Sequence, residues 1–177
     1  MYASTLRKIV RPRERTKTLM LQLSTKSNIV LLQVERIRVL PPRFIKIMED
    51  GLTVKVGMNI VEKAEQLRQH YGVQSLNLVD LNGVARQYEK ISDPDREYTP
   101  RTLEELLWLH LRSRLVPMPP YDTAKRYKYA NVYGFANNIH SQIVLYKNLM
   151  KQAGQMGVDL DPTEFTYHPE PAPSPTF

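Results

Sequence analysis

The chain opens its legible part with two short apolar runs set apart by polar residues. LMLQLST (19–25) and NIVLLQV (28–34) read as β-strands joined by a polar turn at Lys26–Ser27. Pro41 and Pro42 then open a short helix, PRFIKIMED, which Gly51 closes. TVKVG (53–57) is a β-branched strand ending in glycine. Ile60, Ala64, Leu67 and Tyr71 fall on one face of a helix that Gly72 stops. A further helix is expected over 77–89, with Leu78, Leu81, Ala85 and Tyr88 facing inward.

Asp93, Pro94 and Pro100 mark a loop. Thr102 and Glu105 then have the spacing of a capping box, in front of LEELLWLHLRSRL. Pro117, Pro119 and Pro120 break the chain again, and Asp122 can cap the next element. The last helix runs through GFANNIHSQIVLYKNLMKQ to the glycines at 154 and 157, with Phe135, Ile139, Ile143, Tyr146 and Leu149 at helical spacing. There is no internal repeat. Strands come first, helices follow, and one strand lies between helices, which predicts an α/β or α+β layered domain.

Composition narrows this picture. The 177 residues suffice for one ordinary domain with its own core, and the 42% hydrophobic and 24% charged fractions are those of a globular protein. No apolar run approaches the roughly 18–20 residues of a membrane span. With no cysteine, disulfides, zinc–thiolate sites and thiol nucleophiles are excluded, and the silence fits a reducing compartment.

The net charge is +7 and the pI about 9.6, which suits a polyanionic partner. The charge is uneven. LRKIVRPRERTK (6–17) sets Arg7, Lys8, Arg11, Arg13, Arg15 and Lys17 against Glu14, and Pro12 blocks a regular ladder or helix within it. The readings that fit are an arm that contacts phosphates, a flexible solvated loop, or a basic presequence-like N-terminus. At the other end, HPEPAPSPTF (168–177) alternates proline with small or polar residues and is expected to be extended.

The helix over 134–149 poses a question. Its apolar stripe is regular, yet its polar centre holds Asn137 and Asn138 and no carboxylate. The segments LMLQLST, KVGMNIVEKAEQLRQHYGV, LNLVDLNGVARQ, TLEELLWLHL and ANNIHSQIVLYKNL, in this order and spacing, resemble the 3′–5′ exonuclease domain of the DEDD superfamily, in its Werner-helicase and RNase D flavour. The resemblance spans about residues 2–150. It implies an α/β RNase H-like fold, a mixed sheet with helices packed around it, and four carboxylates around two divalent metals. It divides the chain into an exonuclease-like domain (1–152) and a proline-rich tail (153–177).

Carried over position by position, the resemblance predicts a centre without its acids. The family's Asp-x-Glu pair on the first strand falls on Ala3 and Thr5, and residues 1–13 contain no acid in any register. The aspartate on the helix after the KVG strand, four residues before a leucine, falls on Lys63. Glu62 is adjacent but about 100° away around a helix. The tyrosine and aspartate of the last helix fall on Gly134 and Asn138, which answers the question: an acid has become an amide. Lys63 has two readings, a side chain that drifted in and points to solvent, or a cation that replaces a metal's charge and holds a phosphate or a neighbouring acid.

Other groups carry less. Histidines 70, 110, 140 and 168 lack ligand spacing, and Asp93/Asp95 and Asp159/Asp161 are loop pairs beside prolines. Tyr121, Tyr127, Tyr129 and Tyr133 interleave with Lys125, Arg126 and Lys128, a pattern that can stack bases and clamp phosphates. The expectation is a non-catalytic exonuclease-like module, no enzyme, with no cofactor and no metal. It binds nucleic acid, RNA in preference to DNA, through Arg7, Lys8, Arg11, Arg13, Arg15, Lys17, Lys125, Arg126 and Lys128. The alternative is a structural subunit of a large ribonucleoprotein such as a mitochondrial ribosome, held by protein and RNA contacts. A residual exonuclease using Glu62 is the third. The protein is expected inside the cell, in the mitochondrial matrix or the nucleus and cytoplasm, with no membrane partner.

Overall fold

The structure is a computed structural model that describes residues 2–5, 20–25, 27–34, 39–95, 97–115, 129–160 and 166–167, with the backbone alone at 2–5, 129–131 and 166–167. Its elements in chain order are β1 (Tyr2–Thr5), β2 (Leu21–Ser24), β3 (Ile29–Leu32), α1 (Pro42–Glu49), β4 (Lys55–Gly57), α2 (Ile60–Tyr71), β5 (Leu78–Asp80), α3 (Leu81–Ser92), α4 (Leu103–Leu111), α5 (Tyr129–Gln155) and β6 (Thr166–Tyr167).

One mixed sheet runs in the order β3-β2-β1-β4-β5-β6. The expected hairpin is there: β2 pairs antiparallel with β3, Leu21 opposite Leu32 and Ser24 opposite Ile29. β1 pairs antiparallel with β2 and parallel with β4, and β4 pairs parallel with β5. The parallel steps need crossovers, and α2 supplies the one from β4 to β5.

The sheet separates two cores. On one face Leu21, Leu23 and Leu78 meet Phe44 and Met48 of α1 and Ile60, Ala64 and Leu67 of α2. On the other, Val56 and Val79 meet Leu81, Val84 and Ala85 of α3, Leu103, Leu106 and Leu107 of α4, and Leu145, Leu149 and Ala153 of α5. Adjacent strand residues thus serve opposite cores, as the pleat requires. Each fully buried Leu, Val or Phe side chain contributes about 1.5–3 kcal/mol. α5 lies across β1, β2, β3 and β4. Its stripe behaves as the spacing predicts, with Phe135, Ile139, Ile143 and Leu149 buried.

The expected helix over 77–89 is corrected. Asn77 takes a left-handed backbone conformation (φ 54°), Leu78–Asp80 form β5, and the helix begins at Leu81. Leu78, Leu81, Ala85 and Tyr88 do fall at helical spacing. Leu78 and Val79, however, are completely buried on opposite faces of the sheet. A three-residue strand covered on both sides shows no alternation that would separate it from a helix.

The expected division at residue 152 falls inside α5, which runs to Gln155. Leu160 belongs to the second core, and β6 pairs antiparallel with β5. The packed unit therefore extends past that point. Residues 168–177 lie outside the described residues.

One lysine is built into the framework. Lys55 on β4 is completely buried (0% exposed). Its Nζ donates to the Leu76 carbonyl at 2.9 Å and to the Asp50 carbonyl. Burial pushes its pKa down, and Asp50 offsets part of that.

Candidate functional site

β1 occupies the middle of the sheet, and both α2 and α5 lie against it. Positions 3 and 5 are therefore on the strand flanked by the two helices that carry positions 63 and 138. Backbone pairing sets Ala3 opposite Leu23 and Thr5 opposite Leu21.

The turn from β4 into α2 is where these elements meet. Asn59 takes a left-handed conformation (φ 50°) and its side chain caps nothing. The helix end is satisfied from elsewhere. Asp80 Oδ2 accepts from the Ile60 N–H at 2.9 Å, and Oδ1 of the same carboxylate accepts from the Asn82 N–H at 2.9 Å. The Asn59 N–H also donates to it. One carboxylate thus caps both α2 and α3, each cap contributing about 1 kcal/mol. Burial raises the Asp80 pKa above the ordinary carboxylate value, and these N–H donors and Lys63 oppose the rise.

Lys63 sits one turn into α2, and its main-chain N–H donates to Asn59 O at 3.3 Å. Burial pushes its pKa down to about 8, while the charges of Asp80, and then Glu62, hold it up. Lys63 is half-buried and lies near the charge of Asp80, which suits the reading of a cation beside a neighbouring acid. Glu62 lies on the exposed face and accepts from Gln66 Nε2 at 3.3 Å.

Asn138 Oδ1 accepts from Gln142 Nε2 at 2.8 Å, and Gln142 Oε1 accepts from the Met58 N–H at 3.1 Å. Gln142 is 1% exposed. Two amides in series therefore tie α5 to the β4–α2 turn. Gly134, one turn earlier on α5, is buried.

Gln142 and Asp80 organise this site, and neither was singled out by sequence reasoning. Asp80 had a signal: an acid between an apolar run and a helical pattern is an N-cap position. Gln142 showed only as a polar residue amid Ile139 and Ile143.

A second polar cluster stands between α3 and α4. Glu89 is buried, ion-paired with Arg101 and 3.4 Å from His110 Nε2. Asn82 Oδ1 accepts from Tyr98 Oη at 2.6 Å and from the Arg101 N–H at 3.0 Å, and its Nδ2 donates back to the Arg101 carbonyl. The Arg101 guanidinium lies 5.2 Å from the Tyr98 ring centroid. Burial pushes the Tyr98 hydroxyl up to about 12. The cluster holds the 93–101 loop against α3 and accounts for His110.

The expected nucleic-acid residues Arg7, Lys8, Arg11, Arg13, Arg15, Lys17, Lys125, Arg126 and Lys128 lie outside the described residues, as do Tyr121, Tyr127, Asp161 and His168. Tyr133, His140, Asp93, Asp95 and Asp159 are exposed, and His70 packs edge-to-face on Tyr71. Among the described residues no group of three or more His, Cys, Asp or Glu is placed to hold a metal ion, and no helix is long and apolar enough to cross a membrane.

Solved structures share this architecture. The EXO domain of Aedes aegypti Nibbler superposes with a TM-score of 0.75 at 14% identity, over 92% of this chain and 82% of that one. Brucella melitensis NrnC gives 0.70 at 16% identity, over 88% and 74%. NrnC bound to pGG gives 0.69 at 15%, over the same shares. The fold is the RNase H-like α/β fold of these solved structures. No protein-family model and no curated protein matches the sequence. In this fold the elements that converge on β1 are those that carry Lys63 and Asn138.

Proposed function

We propose that this chain is a degenerate 3′–5′ exonuclease domain that binds nucleic acid, RNA above all, without cutting it. The observation that carries the reading is Lys63: a half-buried lysine beside the charge of Asp80, at the position where the resemblance implies a metal-binding carboxylate. Two divalent cations about 3.5–4 Å apart repel strongly and need several acids to hold them. Ala3, Thr5, Lys63, Gly134 and Asn138 offer a hydroxyl, an amide oxygen and a cation. The amide oxygen already accepts from Gln142. That donor set does not fit a pair of metals, so the chemistry left to the site is binding.

The binding half rests on the +7 charge and on the neighbours of this fold, one of them solved with pGG. The basic segments 6–17 and 125–128 are the proposed phosphate contacts. Fluorescence anisotropy with labelled single-stranded RNA tests the reading. Affinity should fall at least about tenfold between 50 and 200 mM salt, with the RNA intact in Mg²⁺ or Mn²⁺. Salt-indifferent affinity, or cation-dependent degradation abolished by Glu62→Ala, would overturn it.

One observation favours a second reading, a structural subunit of a large ribonucleoprotein such as a mitochondrial ribosome. The edge strand β3 leaves Ile29 (40%) and Val30 (46%) exposed, where an uncovered edge would carry charge or proline. Co-sedimentation with a large particle, and no affinity for short RNA, would favour it.

A further inference from the structure

α4 buries Leu103, Leu106 and Leu107 and leaves Trp108 beside that stripe, 48% exposed. A large aromatic ring is an unusual thing to leave in water. The chain then turns back over it. Arg112 takes a left-handed conformation (φ 51°), and the N–H groups of Arg112 and Ser113 donate to the carbonyls of Trp108 and Leu107. The turn brings two guanidinium groups to the indole, Arg114 at 5.1 Å and Arg112 at 5.9 Å from the ring centroid. Among the described residues neither arginine is in an ion pair.

The pairing of Arg101 with Tyr98 shows what a structural version of this contact looks like. There the cation is neutralised by buried Glu89 and the ring hydroxyl is bonded. At Trp108 both positive charges face water. A helix C-terminus favours cations by itself, which accounts for two arginines but not for an exposed indole beneath them. The acids one turn back on α4 are Glu104 and Glu105, the latter held in the capping box with Thr102, so the positive end of the patch is the helix C-terminus.

We propose that Trp108, Arg112 and Arg114 form a stacking site for an unpaired stretch of RNA. A base lies against the indole or a guanidinium plane, and its phosphates meet the two positive charges. Single-stranded RNA offers exposed π-faces and negative charge at this spacing, whereas a duplex hides its faces. The inference rests on the nucleic-acid reading above and adds the place where the strand is held.

Trp108 is the chain's one tryptophan, so its emission reports this site alone. Anisotropy with fluorescein-labelled oligo(U) of about 12 nucleotides measures binding anywhere on the protein, and Trp emission with the unlabelled oligomer measures this site. Saturable quenching is expected at the affinity anisotropy gives. Trp108→Ala should weaken binding by about 5- to 100-fold, with Trp108→Phe recovering most of it. Arg112→Gln with Arg114→Gln should weaken binding and flatten its salt slope by about 1.4. The ring is half exposed, so these variants should melt as the parent does. Normal anisotropy with unmoved emission, and unchanged affinity in Trp108→Ala, would overturn the site and leave the broader reading standing. Equal quenching by a blunt duplex would also overturn it. Absence of RNA binding at any salt would remove both.

Discussion

Two lysines stand eight positions apart on either side of the β4–α2 turn, Lys55 completely buried and Lys63 half-buried, and they are held in opposite ways. Lys55 meets backbone carbonyls, which are fixed dipoles that belong to the fold and would lose this donor if it left. Lys63 meets a carboxylate that already has its own work, capping two helices. A buried cation is thus no sign of function by itself. Its partners decide: Lys55 completes the framework, and Lys63 adds a charge beside a carboxylate that backbone N–H groups already serve.

The largest expected effect comes from refilling that place with acids. Ala3→Asp, Thr5→Glu, Lys63→Asp and Asn138→Asp together should make thermal melting depend on Mg²⁺. The carboxylates repel one another in a chelator, and binding restores about 2.7 kcal/mol at a hundredfold excess over Kd. The unchanged protein should melt alike with and without Mg²⁺.

Lys55→Met should cost about 2 kcal/mol in denaturant unfolding, because two part-buried carbonyls lose their donor. Asp80→Ala should cost about 2 kcal/mol, one cap from each of two helices.

Lys63→Met should change stability by about 1 kcal/mol or less at pH 7, since Asp80 keeps its backbone donors. Its pH dependence is the sharper measurement. Below about pH 8 folded and unfolded chains both hold the proton, and the burial penalty is in full force. Between about 8 and the ordinary 10.5 the folded chain sheds its proton first, so stability from this group rises with pH. The parent should gain about 1–3 kcal/mol on Lys63→Met across that window, read from paired urea melts. Parallel pH profiles would put Lys63 in water. Glu62→Ala should stay within about 0.5 kcal/mol, as an exposed residue on the far side of α2.

Much of the architecture was written locally. The β2–β3 hairpin, the KVG strand, the Ile60–Tyr71 helix between Asn59 and Gly72, and the Thr102/Glu105 capping box each depend on neighbours a few residues away. The order of these segments carried the fold, although neighbours with the same fold share only 14–16% of their residues with this chain. What escaped was non-local. β5 passed for helix because its burial comes from layers on both faces. Gln142 matters because of a main-chain N–H 84 positions earlier. Lys63 was legible as a position but not as a contact, because Asp80 reaches it from the next strand. Trp108 looked like one more apolar residue of α4 until the turn at Arg112 set two guanidinium groups over it.

The two cores also differ in how much of the chain each must wait for. Every buried member of the one beneath α1 and α2 lies between Leu21 and Leu78, whereas the other runs from Val56 to Leu160. At about 5–20 residues per second, a ribosome releases the first set many seconds before the last member of the second. During that interval the nascent chain can close one side of its sheet while Val56 and Val79 wait, wet, for a helix still to be translated.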